Sequence, residues 1–136
     1  MMNILNKIQS ITDSTSSTSS TIIISLQQYL IKHNIAKLPQ DFITFLHSYN
    51  GISYNGGIIC GIYTYGNSQD ISTLNHSINH PLHNDLLFFG YDEFDYLAYN
   101  QKYNVYQIID KSDLEVLEEY SDFSNAVQHI LKISDE

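Results

Sequence analysis

The chain has 136 residues, the length of one ordinary domain, and 43% of them are hydrophobic, enough to build a sizeable core. Fifteen acidic residues against six basic ones give a net charge of −9, and the basic set is lysine alone, scattered at Lys7, Lys32, Lys37, Lys102, Lys111 and Lys132. A field of that sign without a guanidinium fork argues against nucleic-acid binding, and the lone cysteine, Cys60, excludes an internal disulfide and makes the cytoplasm the expected compartment.

Residues 1–7 lack a basic stretch followed by an apolar run, so no signal peptide is expected. The most apolar window, 22–31, is interrupted by Gln27 and Gln28 and falls short of the roughly 20 residues of a spanning helix, so no membrane anchor is expected. Ile4, Leu5, Ile8 and Ile11 share one helical face and predict a short N-terminal helix. The Ser/Thr tract that follows reads as a flexible or loosely ordered connector, so residues 1–21 precede a single domain predicted over 22–136. Ile22, Ile23, Leu26, Tyr29 and Leu30 then fit a helical period over 22–33, with Thr21 as N-cap and Asn34 as stop. Pro39 opens the next helix, in which Phe42, Phe45, Leu46 and Tyr49 share a face, and Asn50-Gly51 closes it.

The period changes after Gly51. Runs at 58–65, 86–90, 94–99, 105–110 and 115–120 are β-branched or aromatic and are separated by Gly, Asn and Asp, which predicts a meander with turns at 100–104 and 111–113. A short helix is predicted within 70–79, ahead of a His-rich loop before Pro81. Phe123, Ala126, Val127, Ile130 and Leu131 mark a final amphipathic helix with Ser121 as N-cap, Asp122 in its first turn and Lys132 in its last. The predicted class is α+β, an antiparallel sheet of about five strands with N-terminal helices and a C-terminal helix packed on it.

Few constellations could carry chemistry. His76, His80 and His83, with Asp85 nearby, have a spacing that can converge on zinc, but Pro81 interrupts a continuous helix and no cysteine completes the set, so neither metal nor cofactor is expected. The Gly56 to Gly61 spacing matches a phosphate loop, yet Ile62 and Tyr63 stand where Lys and Ser/Thr are required, and these glycines read as a turn entering a strand. Cys60 sits in an apolar run and reads as an inert core thiol. No catalytic residue is assigned. Eleven Tyr and six Phe fit either a protein interface or plain strand propensity, and both readings stay open. Residues 1–91 hold four acids and three lysines, net −1, whereas 92–136 hold eleven acids and three lysines, net −8. That asymmetry predicts a partner-binding face at Asp92, Glu93, Asp95, Glu115, Glu118 and Glu119.

The stretch from Leu38 through Pro39, Asp41, Phe42, Phe45 and Leu46 to Asn50-Gly51 resembles the LPxDFxxFL…NG signature of the SUKH superfamily, which includes yeast cell-wall-synthesis regulators and many bacterial immunity proteins. Tyr54-Asn55-Gly56 leading to Ile62-Tyr63, then Asp70-Ile71, 86–90, Tyr96 to Tyr99 and the final helix are similar in order to its YrhA-like branch, so the resemblance covers about residues 38–131. The chain departs from the family in having Gly90-Tyr91-Asp92-Glu93-Phe94-Asp95 where many members carry a GGD-like turn, and in lacking tryptophan. The resemblance implies a non-enzymatic protein that binds and neutralises a toxin from the same polymorphic toxin locus, nucleases among the candidates. Two other readings stay open: a general protein-interaction module without a toxin partner, and a metal-dependent enzyme that uses the His loop.

Overall fold

A computed structural model describes residues 2–11, 17–64, 66–78 and 85–133. Three helices come first, α1 (Met2–Ile11), α2 (Ser20–Lys32) and α3 (Gln40–Ser48), followed by the hairpin β1 (Ile52–Tyr54) and β2 (Gly57–Ile59) and the short helix α4 (Ile71–Ser77). The meander β3 (Leu86–Tyr91), β4 (Asp95–Asn100), β5 (Val105–Asp110) and β6 (Val116–Tyr120) leads into α5 (Phe123–Leu131). Every strand pairs antiparallel with its sequence neighbour, so the sheet order is β1-β2-β3-β4-β5-β6 and, among the described residues, β1 and β6 are its edges.

The α+β architecture agrees with the sequence, with one strand more than the predicted meander. That strand is β1, three residues long and joined to β2 through Asn55 and Gly56. Their φ values of 54° and 81° give the two left-handed positions that suit the twist of a two-residue hairpin. Of the glycines in the phosphate-loop spacing, Gly56 and Gly57 therefore do form a turn entering a strand, whereas Gly61 lies beyond its end.

Aromatic residues at helical and strand spacing build the core where α3 and α5 meet the sheet. The Phe42 ring lies 4.9 Å from Phe89, Phe89 stacks on Phe123 at 5.9 Å, and Tyr106 meets Phe123 edge-on at 5.6 Å, tying α3, β3, β5 and α5 together. Phe42, Phe45, Leu46, Phe89 and Phe123 are fully buried, and each such side chain contributes about 1.5–3 kcal/mol before entropy is counted. α1 packs on α5 through the fully buried Ile8, and Lys7 Nζ donates to Gln128 Oε1 at 2.8 Å, so the N-terminal helix shares this core.

Local details differ from the sequence expectation where capping and tertiary bonds decide. The N-cap of α2 is Ser19, whose hydroxyl accepts from the Ile22 N–H, and Thr21 lies inside the helix. The later part of the expected loose connector is pinned: Thr18 is buried, its N–H donates to the Leu46 carbonyl at 2.9 Å and its hydroxyl to Asn50 Oδ1 at 3.0 Å. Residues 12–16 lie outside the described residues. Helix α5 is capped by Asp122 rather than Ser121, because its carboxylate is the group that accepts from the Ser124 N–H. Helix α3 ends in an extended Tyr49, and Gly51, at φ +82°, serves the entry into β1 instead, where an added Cβ would lie 2.8 Å from Gly61 N and Ile59 O.

The strand predicted over 58–65 stops at Ile59, since Gly61 leaves the ladder to bridge Asp70 at the start of α4. Beyond the end of β2, the buried amide of Asn75 takes over as lateral partner of β3: its Oδ1 accepts the Phe88 N–H at 2.9 Å and its Nδ2 donates to the Phe88 carbonyl at 2.7 Å.

Candidate functional site

In a meander, alternate turns fall at the same end of the sheet, and here the β3–β4 and β5–β6 turns are direct neighbours. Asp95 pairs with Asp110 across β4 and β5, and the Lys111 N–H donates to the Phe94 carbonyl at 2.9 Å. Asp92, Glu93, Asp95, Asp110, Asp113 and Glu115 therefore gather at one end. They are not equivalent. The Asp92 carboxylate is only 11% exposed, accepts the N–H groups of Phe94 and Asp95, and lies 3.2 Å from Lys132 Nζ at the end of α5. Burial raises its pKa, but the Asp95 N–H, Lys132 and the Phe94 N–H outweigh burial and hold it below the ordinary Asp value. Asp95 moves the other way, pushed up by burial and then by the charges of Asp92 and Asp110. Asp110 is held low by the hydroxyl and N–H of Ser112. Glu93 and Phe94 form the tip of their turn, with Phe94 69% exposed. Lys111 leans over the rings of Tyr91 and Tyr96, 4.9 and 5.4 Å from their centroids.

From this end the open edge β6 runs away along the sheet. Val116 and Leu117 are 48% and 50% exposed beside the bulge opposite Ile108 and Ile109. Glu118 and Glu119, adjacent on a strand, point to opposite sides. Glu119 accepts from Gln107 Nε2 at 2.6 Å, whereas Glu118 faces α5, accepts the Tyr120 hydroxyl at 2.6 Å and lies 3.5 Å from His129 Nδ1. Tyr120 Oη is also 2.8 Å from His129 Nδ1. Burial and the Glu118 carboxylate push the Tyr120 hydroxyl up to about 12, so at neutral pH it is a hydrogen-bond donor and not a base. Beside it lies an open cleft of about 380 Å³ lined by Tyr120, Asn125, Gln128, His129 and Ile133.

The structure thus brings Asp92, Glu93, Asp95 and Glu115 to one end and spreads Glu118 and Glu119 along the adjoining edge. Asp92, Glu118 and Glu119 already hold internal partners, while Glu93 and Glu115 are exposed. Reasoning from composition alone missed Asp110 and Asp113 as members of the cluster, and missed Phe94, Val116 and Leu117 as its apolar neighbours. The antiparallel order of the predicted strands was the available signal for the former.

The remaining candidates lie elsewhere. His76 is exposed in the last turn of α4, and His80 and His83 lie outside the described residues. Among the described residues no group of three His, Cys, Asp or Glu side chains could hold a metal ion. Cys60 is fully buried, with its thiol pushed far up by burial and then by the charge of Asp70, as suits an inert core thiol. Asp70, also buried, caps α4 and accepts from the Tyr63 N–H and the hydroxyls of Ser72 and Thr73, a structural use. Among the described residues no helix is long and apolar enough to cross a membrane. No protein-family model matches the chain, and a search of curated proteins found no match.

Proposed function

We propose that the chain is an immunity protein of the SUKH superfamily, a non-enzymatic cytoplasmic domain that binds and neutralises a cognate basic toxin. Nucleases fit that charge class, because they must themselves attract phosphates. The observation that carries the functional part is the one-sided acidic end, with exposed Phe94 between its carboxylates and an open strand edge leading from it. Apolar anchors within a charged rim are what a fast-associating protein interface needs, since the charges steer encounter and the anchors slow release. The family part is supported by what the motif residues do: Phe42, Phe45 and Leu46 are fully buried, and the Asn50 side chain clamps Ile62 through 2.7 and 3.0 Å bonds to its N–H and carbonyl.

Co-expression with each toxin domain encoded beside this gene tests the reading. One of them should stop killing, and the pair should co-elute as a stable complex on gel filtration. If every candidate kills equally with and without the protein, the immunity reading fails and a general interaction module takes its place.

A further inference from the structure

We infer that β6 is the docking edge for an extended basic segment of the partner protein, which adds to the sheet as a further antiparallel or parallel strand. This deepens the binding reading above and rests on it. One side of the β6 backbone is satisfied by β5, and among the described residues no strand pairs with the other side, in a strand whose residues 116–119 are all exposed. Such an edge offers a row of N–H and C=O groups to any chain of matching register. The opposite edge is a poorer template, because β1 spans three residues and its Ile52 is buried.

Charge selects the occupant. Glu115, Glu118 and Glu119 line the edge and Asp113 precedes it, while the only cations in this half of the chain among the described residues are Lys102 in the far turn, Lys111 over its tyrosine rings and Lys132 beside Asp92. A second copy of the chain is disfavoured: antiparallel pairing about the strand centre sets the Glu118 carboxylate against its own copy, and like charges directly opposite are destabilising. A strand carrying lysine or arginine at alternate positions instead meets Glu118 on the side of α5. There its side chain lies next to the Tyr120–His129 pair and the cleft beside it. Val116 and Leu117 supply the apolar contact at the other end of the strand.

The test uses the full chain, labelled with ¹⁵N, and a synthetic nonapeptide alternating lysine with valine or threonine; a peptide with glutamate in place of lysine is the control. The basic peptide should shift the amides of residues 115–120 and give cross-strand NOEs to β6, and the acidic one should do neither. Raising the salt from about 50 to about 300 mM should weaken binding several-fold as the Debye length shortens. A Glu118→Gln, Glu119→Gln variant should bind roughly tenfold more weakly. If neither peptide perturbs residues 115–120, or both do so equally, the inference fails, and the acids serve only to keep copies of the edge apart. Success in the growth-rescue test alongside failure here removes the edge and leaves the immunity reading standing; the reverse combination removes the toxin and keeps the edge.

Discussion

Asn75 shows how one buried side chain can replace a missing strand. Where β2 stops, its amide gives the Phe88 N–H an acceptor and the Phe88 carbonyl a donor, and the same Nδ2 also donates to the Ile71 carbonyl within α4. Asn75→Ala removes the two hydrogen bonds that Asn75 makes to the buried Phe88 backbone and should cost about 2–3 kcal/mol, read as a lower urea midpoint with an unchanged slope. An unchanged midpoint would mean that water or a shifted strand takes over the bonds. Nothing in the sequence around Asn75 distinguishes it from an ordinary polar residue of a short helix, because its importance depends on a strand that ends sixteen positions earlier in the chain. The same limit applies to the acids. Asp92 and Glu93 are neighbours in sequence and look alike there, yet one is held by two backbone N–H groups and Lys132 and the other projects into solvent.

At the scale of elements, long periodic segments were legible and their ends were not. The apolar periods of α2, α3 and α5 and five of the six strands could be read directly, because burial of one face imposes a pattern that composition cannot hide. Cap identity turned on which hydroxyl or carboxylate reached an orphan N–H, and neighbouring Ser, Thr and Asp residues compete for that role. β1 is too short to show a period, though Asn55-Gly56 marks its turn. That hairpin also carries a constraint invisible in the sequence. Gly57 packs directly against the carbonyl of Ile130 in α5, where an added Cβ would overlap the oxygen, whereas Gly56 has open space despite its φ of +81°. Gly57→Ala should therefore cost about 3 kcal/mol or more. Gly56→Ala should cost only the left-handed penalty of about 1–2 kcal/mol. Thermal melts of the two variants check the order, and a larger loss at Gly56 would show that the hairpin does not seat on the helix as described.

Over the whole molecule, the charge split of the sequence becomes a spatial one. The antiparallel order folds the β3–β4 and β5–β6 turns side by side, so acids far apart in sequence share one end, and the two lysines nearest to them are engaged with Asp92 and with tyrosine rings. The class of the fold and the acidic half were readable before the structure; the junction of that acidic end with a strand edge that exposes Val116 and Leu117 was not, since it depends on which strand is last in the sheet. An end of this kind should act on a basic partner mainly through encounter, and salt should erase the effect. The most direct measurement is therefore the association rate with the toxin domain that growth rescue identifies, taken across a salt series for two charge-reversed variants. Glu93→Lys with Glu115→Lys should slow association about tenfold at low salt, converge on the unmodified protein at high salt and leave stability unchanged, while Lys32→Glu with Lys37→Glu, on and after α2, should have no such effect. Equal rates for the two variants at every salt concentration would contradict the account and move the partner to another face.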